Sequence, residues 1–243
     1  AARREGTVNL FLRDYPAADS AIDRAIALAP TSPAIASLKV MIEVARGDLT
    51  AARAATAAAA ERTGREPMFA FLALYQDLYW VLDDSAQRAV LRMPVSAFDN
   101  DRGAWAIMLT GLYHARGDRR LTRIYADSAR LALEEQVRAA PEDAQRHALL
   151  GVALAYLGRK AEALEEARRG ARMRSISDDG FLGPYVQLQL ARTCILAGEQ
   201  DQALDLLETL LHVPFYLSPG WLRLDPMFDP LRANPRFRRL AAG

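Results

Sequence analysis

Apolar and small residues recur three and four positions apart along most of the chain, the spacing of one face of an α-helix. The clearest instance begins at Ala144. His147, Leu150, Gly151 and Leu154 form one stripe, Gly158 interrupts it, and Ala163, Ala167 and Gly170 form a second. Two stripes parted by a glycine predict two helices joined by a tight turn. Small residues at Gly151 and Ala163 allow those helices to approach closely. Just upstream, Pro141-Glu142-Asp143 combines a helix stop with a helix start. Pro184 opens another copy of the scheme, with Leu190, Ala191, Cys194, Gly198, Ala203, Leu207 and Leu210. Cys194 thereby falls on a core face, where a small apolar side chain belongs.

The N-terminal third follows the same plan. Gly6, Ala18, Ile22, Ala25 and Pro30 make one copy. Pro33 opens the next, with Gly47, Ala52, Thr56 and Ala59, and Pro67 opens a third, with Leu74, Ala86, Val90 and Met93. Pro33 and Pro67 stand 34 residues apart. The middle copy starts at Gly103 and places Leu109, Tyr113, Gly117, Thr122, Ala126 and Ala129 on the two stripes. Its second helix is predicted from about Leu121 toward Ala139. Later intervals lengthen to 36, 41 and 40 residues, with the additions in 94–102, around Val137 and in 172–183.

This order of large, Leu-Gly, turn-Gly, Ala and Pro positions resembles the tetratricopeptide repeat (TPR) family, whose unit is about 34 residues long. The resemblance implies an all-α fold: a TPR-like α-solenoid, a right-handed superhelix of about six antiparallel helix pairs with a C-terminal helical cap. The expected repeat array spans 1–213, with repeats near 1–32, 33–66, 67–102, 103–143, 144–183 and 184–213. The expected capping segment spans 214–243.

In that last segment, Asp225-Pro226, Asp229-Pro230 and Asn234-Pro235 each join an N-cap residue to a proline at the first helical position. They predict short, stepped helical turns. Trp221, Leu224, Phe228, Leu231, Phe237 and Leu240 give the turns an apolar side suited to covering the open end of the last pair. The ending is similar to those of TPR regions in large bacterial signalling proteins. There the repeats follow kinase, cyclase, winged-helix or TolB-like domains. The chain begins at Ala1 without a Met, so a missing native N-terminus is expected.

The resemblance also implies a concave groove lined by the first helix of each pair. The positions matching its lining carry Met41, Phe71, Tyr75, Tyr79, His114, Tyr156, Tyr185 and Arg192. Aromatic and Arg side chains are the usual anchors of binding, although an aromatic stripe at helical spacing equally suits a core. The carboxylate clamp of the family's chaperone-binding members has no counterpart, since Arg3, Thr7, Ser37 and Met41 occupy such positions.

Composition narrows the chemistry. The net charge is +1, and among the basic residues only Lys39 and Lys160 are lysine. A near-neutral balance argues against a general affinity for nucleic acid or acidic membranes. One cysteine makes neither an internal disulfide nor a Cys-based zinc site. No apolar run is long enough to cross a membrane. His114, His147 and His212 lack metal-pair spacing, and His147 reads as a packed core residue. Asp83-Asp84, Glu134-Glu135, Glu165-Glu166 and Asp178-Asp179 are adjacent pairs, whose side chains diverge on a helix. Two arginine runs, Arg168 to Arg174 and Arg232 to Arg239, suit a salt-laced face or an acidic partner.

The expectation is therefore a non-catalytic protein-interaction or sensor module, within a larger bacterial regulatory protein. It would bind a protein or peptide in the groove, with no metal and no cofactor. Homo-oligomerisation stays open, and the cytoplasm is favoured over the periplasm. The competing readings are a stand-alone scaffold for assembly or secretion, and an enzyme whose site carries no recognisable motif.

Overall fold

The computed structural model describes all 243 residues, and 77% of them are helical, with no strand. Six helix pairs succeed one another. They are α1 (Ala2–Phe11) with α2 (Tyr15–Leu28), α3 (Pro33–Arg46) with α4 (Leu49–Thr63), and α5 (Arg65–Tyr75) with α6 (Asp84–Val90). Then come α7 (Arg102–Ala115) with α8 (Arg119–Ala139), α9 (Ala144–Tyr156) with α10 (Lys160–Met173), and α11 (Leu182–Ala197) with α12 (Gln200–His212). Beyond them lie α13 (Pro219–Leu224), a 3-10 turn (Pro226–Leu231) and α14 (Pro235–Ala242). Two of the three Asp/Asn-Pro pairs open elements here, Pro226 the 3-10 turn and Pro235 α14, whereas Pro230 lies inside the 3-10 turn and α13 starts from Ser218-Pro219.

A repeated start signal organises the pairs. Asp14, Asp48, Asp83 and Asp118 cap α2, α4, α6 and α8, each side chain accepting a hydrogen bond from a backbone N–H three residues on, at 2.7 to 3.1 Å. Before three of these caps a residue takes left-handed backbone: Arg13 at φ 61°, Gly47 at 84° and Gly117 at 73°. Glycine adopts this conformation freely and arginine does so at a cost.

The chain forms two compact units. The first comprises 1–98, 214–226 and 239–243; the second comprises 99–213 and 227–238.

Within the second unit the helices interlock through small residues. A Cβ on Gly151 would lie 2.7 Å from the Ala167 Cβ and 2.8 Å from the Ala163 carbonyl oxygen. A Cβ on Gly170 would lie 2.6 Å from the Ala144 oxygen. Helices α9 and α10 are thus as close as their backbones allow. His147 is completely buried beside them, Nδ1 2.5 Å from a Glu166 oxygen and Nε2 2.9 Å from the Pro141 carbonyl. Asp101 ties three helices together. It caps α7 through the Ala104 N–H at 2.9 Å, accepts from Gln136 of α8 at 3.0 Å, and pairs with Arg146 of α9 at 2.6 Å. The 227–238 segment adds a Phe228–Phe237 ring contact and an arginine, Arg236, that pairs with Asp205 and Glu208 of α12.

The first unit is less regular. Its third pair departs from the expectation that Tyr79 lies on the first helix: α5 ends at Tyr75, Asp77 turns left-handed at φ 53°, and the Leu78 N–H turns back to the Leu72 carbonyl at 2.9 Å. Leu78, Trp80, Val81 and Leu82 then fill the interior as a non-helical plug. The returning 214–226 segment packs here. Its Phe215 N–H donates to the Phe11 carbonyl at 3.0 Å, and Arg13 donates to the Leu217 carbonyl at 3.0 Å. The Ser218 hydroxyl donates to the Ala45 carbonyl at 2.6 Å and accepts from the Trp221 N–H, capping α13. Gly220 lies so close to α3 that a Cβ would sit 2.4 Å from the Ala45 oxygen. Trp221, 1% exposed, meets Trp80 edge-on at 6.4 Å.

Candidate partner-binding surface

The residues expected to line a groove divide by exposure. Met41 on α3 and Arg192 on α11 are buried, at 3% and 7% exposure. The Arg192 Nη1 donates to Gln189 on its own helix at 3.4 Å. Apolar neighbours along α3 draw Met41 inward: Val40, Ile42 and Val44 are completely buried beside it. These two side chains contribute packing where the resemblance implied contact with a partner.

The other six reach the surface. In the first unit, Phe71 and Tyr75 stack on α5 with ring centroids 4.7 Å apart. They stand one helical turn apart, so their side chains overlie one another. Phe71 is half-buried, while Tyr75 remains 53% exposed. Tyr79 is half-buried and lies beyond the end of α5, in the non-helical plug.

In the second unit, His114 ends α7 and meets Tyr156 of α9 edge-on, with centroids 5.1 Å apart. Loss of water on that side disfavours the charged ring, so the His114 imidazole sits below its ordinary pKa. It presents a neutral, hydrogen-bonding edge at pH 7. Tyr156 and, at the start of α11, Tyr185 are half-buried. The structure thus assembles two aromatic pairs, one in each unit, from residues far apart in the repeat sequence or one turn apart within a helix.

The arginine runs singled out in the sequence are partly engaged: Arg168 donates to Gln202 at 2.7 Å, and Arg232 and Arg236 form ion pairs. Sequence reasoning missed a different stripe. On α8, Arg120, Ile124, Asp127 and Leu131 recur at helical spacing, and Ile124 and Leu131 are 49% and 54% exposed. Exposed apolar residues at that spacing are visible in the sequence once the helix is assigned its buried face through Thr122, Ala126, Ala129 and Leu133.

No protein-family model matches the chain, and no curated protein matches it. Among solved structures it is similar to TTC0263, a thermophilic TPR protein of Thermus thermophilus. Identity is 19% and the TM-score 0.39, over 100% of this chain and 98% of that one. It is also similar to the TPR2AB domain of yeast Sti1 in its complex with pHSP90. Identity there is 17% and the TM-score 0.30, over 94% of this chain and 96% of that one. Overlaps this loose carry no argument about function; the helix-pair architecture rests on the helices described above.

Proposed function

We propose that this chain is a non-catalytic protein-interaction module that holds a peptide or protein segment against the first helices of its pairs. The observation that carries the reading is the pair of half-open aromatic contacts, Phe71–Tyr75 on α5 and His114–Tyr156 between α7 and α9. Each offers a rigid apolar face that carries a tyrosine, and Tyr anchors contribute affinity at small entropic cost. A place within a larger bacterial regulatory protein accords with the Asp-Pro-rich ending.

The test starts with partner capture and mass spectrometry, followed by titration calorimetry with one purified partner. Tyr75→Ala combined with Tyr156→Ala should weaken binding by more than about 2 kcal/mol while the circular dichroism spectrum stays unchanged. Wild-type affinity in the double variant would remove these aromatic faces from the binding surface.

A further inference from the structure

A second surface lies in the second unit, away from the aromatic pairs. A cleft of about 780 Å³ opens between α8 and the turn joining α9 to α10. Ile124 and Leu157 form its apolar part, and Arg120, Arg123, Arg130 and Arg159 surround it.

The four guanidinium groups are not equivalent. Arg130 is held by Asp127 at 2.8 Å and Glu134 at 2.9 Å, and Arg159 by Glu162 at 2.8 Å. Arg120 and Arg123 are exposed and form no ion pair. They sit in the first two turns of α8, which begins Arg119-Arg120 and has no acidic residue in its first turn. Cations there face the positive end of the helix dipole, where the chain's own counter-charge is the capping carboxylate of Asp118, already hydrogen-bonded to the Leu121 N–H at 2.9 Å. Beside them, Ile124 is 49% exposed, and Leu131, seven residues on, is 54% exposed. An α-helix rises about 1.5 Å per residue, so these two apolar side chains stand about 10 Å apart along one face.

We propose that this cleft docks an acidic protein segment that seats an apolar side chain on Ile124 and Leu157 while its carboxylates pair with Arg120 and Arg123. Carboxylates would satisfy the two free guanidinium groups and offset the dipole. The apolar side chain would cover surface that is otherwise wet. A phosphate-rich ligand fits less well. It would leave Ile124 and Leu157, the apolar part of the cleft, without an apolar partner. The inference is independent of the aromatic surface, because none of its residues belongs to either aromatic pair.

The probe is a fluorescein-labelled peptide, Gly-Asp-Glu-Leu-Glu-Asp-Leu-Gly, followed by fluorescence anisotropy against the full chain. Binding with a Kd below about 1 mM is expected. Arg120→Glu with Arg123→Glu should weaken it at least about tenfold, and raising salt should weaken it in the wild type. The milder Arg120→Gln with Arg123→Gln gives the same direction should the reversal disturb folding. Ile124→Ser should also weaken binding, because the apolar anchor loses its seat. Arg138→Glu with Arg172→Glu changes net charge equally, away from the cleft, and should leave binding intact. The proposal fails if the peptide does not bind. It fails if its Asn/Gln analogue binds as well, or if both double reversals weaken it alike. Tighter binding of a single-stranded oligothymidine of equal charge would also overturn it, assigning the cleft to phosphates.

Discussion

The two units reach a buried core by different routes. In the second, the helix pairs close on one another through local contacts, within a pair or between successive pairs, and 227–238 adds to the last of them. Gly151 meets Ala163 and Ala167, and Gly170 meets Ala144, across a single turn of chain. The interior is made of alanines and leucines, and the repeat motif is at its clearest. In the first, the motif decays after Tyr75, α6 is only seven residues long, and large side chains close the gap. Trp80, Phe98, Phe215 and Trp221 are buried there, two of them supplied by a segment more than a hundred residues further along the chain. A repeat can thus lose its small-residue contacts and keep its core, provided distant apolar residues replace them.

The largest effect should come from breaking that replacement. Trp221→Ala removes a completely enclosed ring and should cost roughly 3–5 kcal/mol. Hydrogen exchange should accelerate in α1, α3 and α5 while α9 to α12 keep their protection. Equal loss of protection in both units would show that they share one cooperative core.

The matching change in the second unit is Leu150→Ala. Leu150 is 4% exposed between helices, and the truncation should cost roughly 2–5 kcal/mol, read from a denaturant melt. A loss below about 0.5 kcal/mol, the range of ordinary surface changes, would mean that α9 can relax into the space.

Acid should act on both units through different carboxylates. Burial alone would raise the Asp19 pKa, but contacts from Lys39 and Arg46 outweigh it and hold the group below its ordinary value. Asp101 is likewise lowered: burial opposes the shift, and the Ala104 N–H, Gln136 and Arg146 overcome it. A depressed carboxylate contributes stability above its unfolded pKa, near 3.9, and loses it as pH falls through the lower folded value. Stability should therefore drop as pH falls below about 4. Asp19→Asn should flatten that slope for the first unit, and Asp101→Asn for the second, in melts followed from pH 5 down to about pH 2. Unchanged slopes in both variants would assign acid sensitivity to other carboxylates.

A smaller effect concerns the single thiol. Burial in α11 pushes Cys194 up to about 11. A thiol reagent should leave the native protein unlabelled at pH 8 and label it fully in denaturant. Rapid native labelling would mean that α11 opens more easily than its burial implies. The smallest effect belongs to Glu165→Ala on the exposed side of α10, expected within about 0.5 kcal/mol of wild type. A change as large as that for Leu150→Ala would place the helical register at least one residue off.

Much of the proposed binding surface was only partly legible in the residues. Tyr75, Tyr79, His114, Tyr156 and Tyr185 do reach solvent to different degrees. Met41 and Arg192 occupy comparable positions in the repeat and are buried. Spacing assigns a residue to a face, but burial depends on what packs over that face, and neighbours in space are absent from a linear pattern. The Asp caps at 14, 48, 83 and 118 were a stronger repeat signal than the apolar positions of the third copy. A cap works through a local hydrogen bond, so it persists where the core pattern drifts.

The sequence by itself determined the elements: helices paired through turns, the long α8, and the short turns that open at Asp225-Pro226 and Asn234-Pro235. These depend on contacts within a few residues, where propensity, capping and fixed proline φ act directly. Only the tertiary structure decided where α5 stops and that 214–226 completes the first unit. The hydrogen bonds from Arg13 to Leu217 and from Ser218 to Ala45 join residues that no local pattern relates. Such contacts form because buried backbone carbonyls need donors and large rings need enclosure, and either requirement can be met by any part of the chain that folding brings within reach.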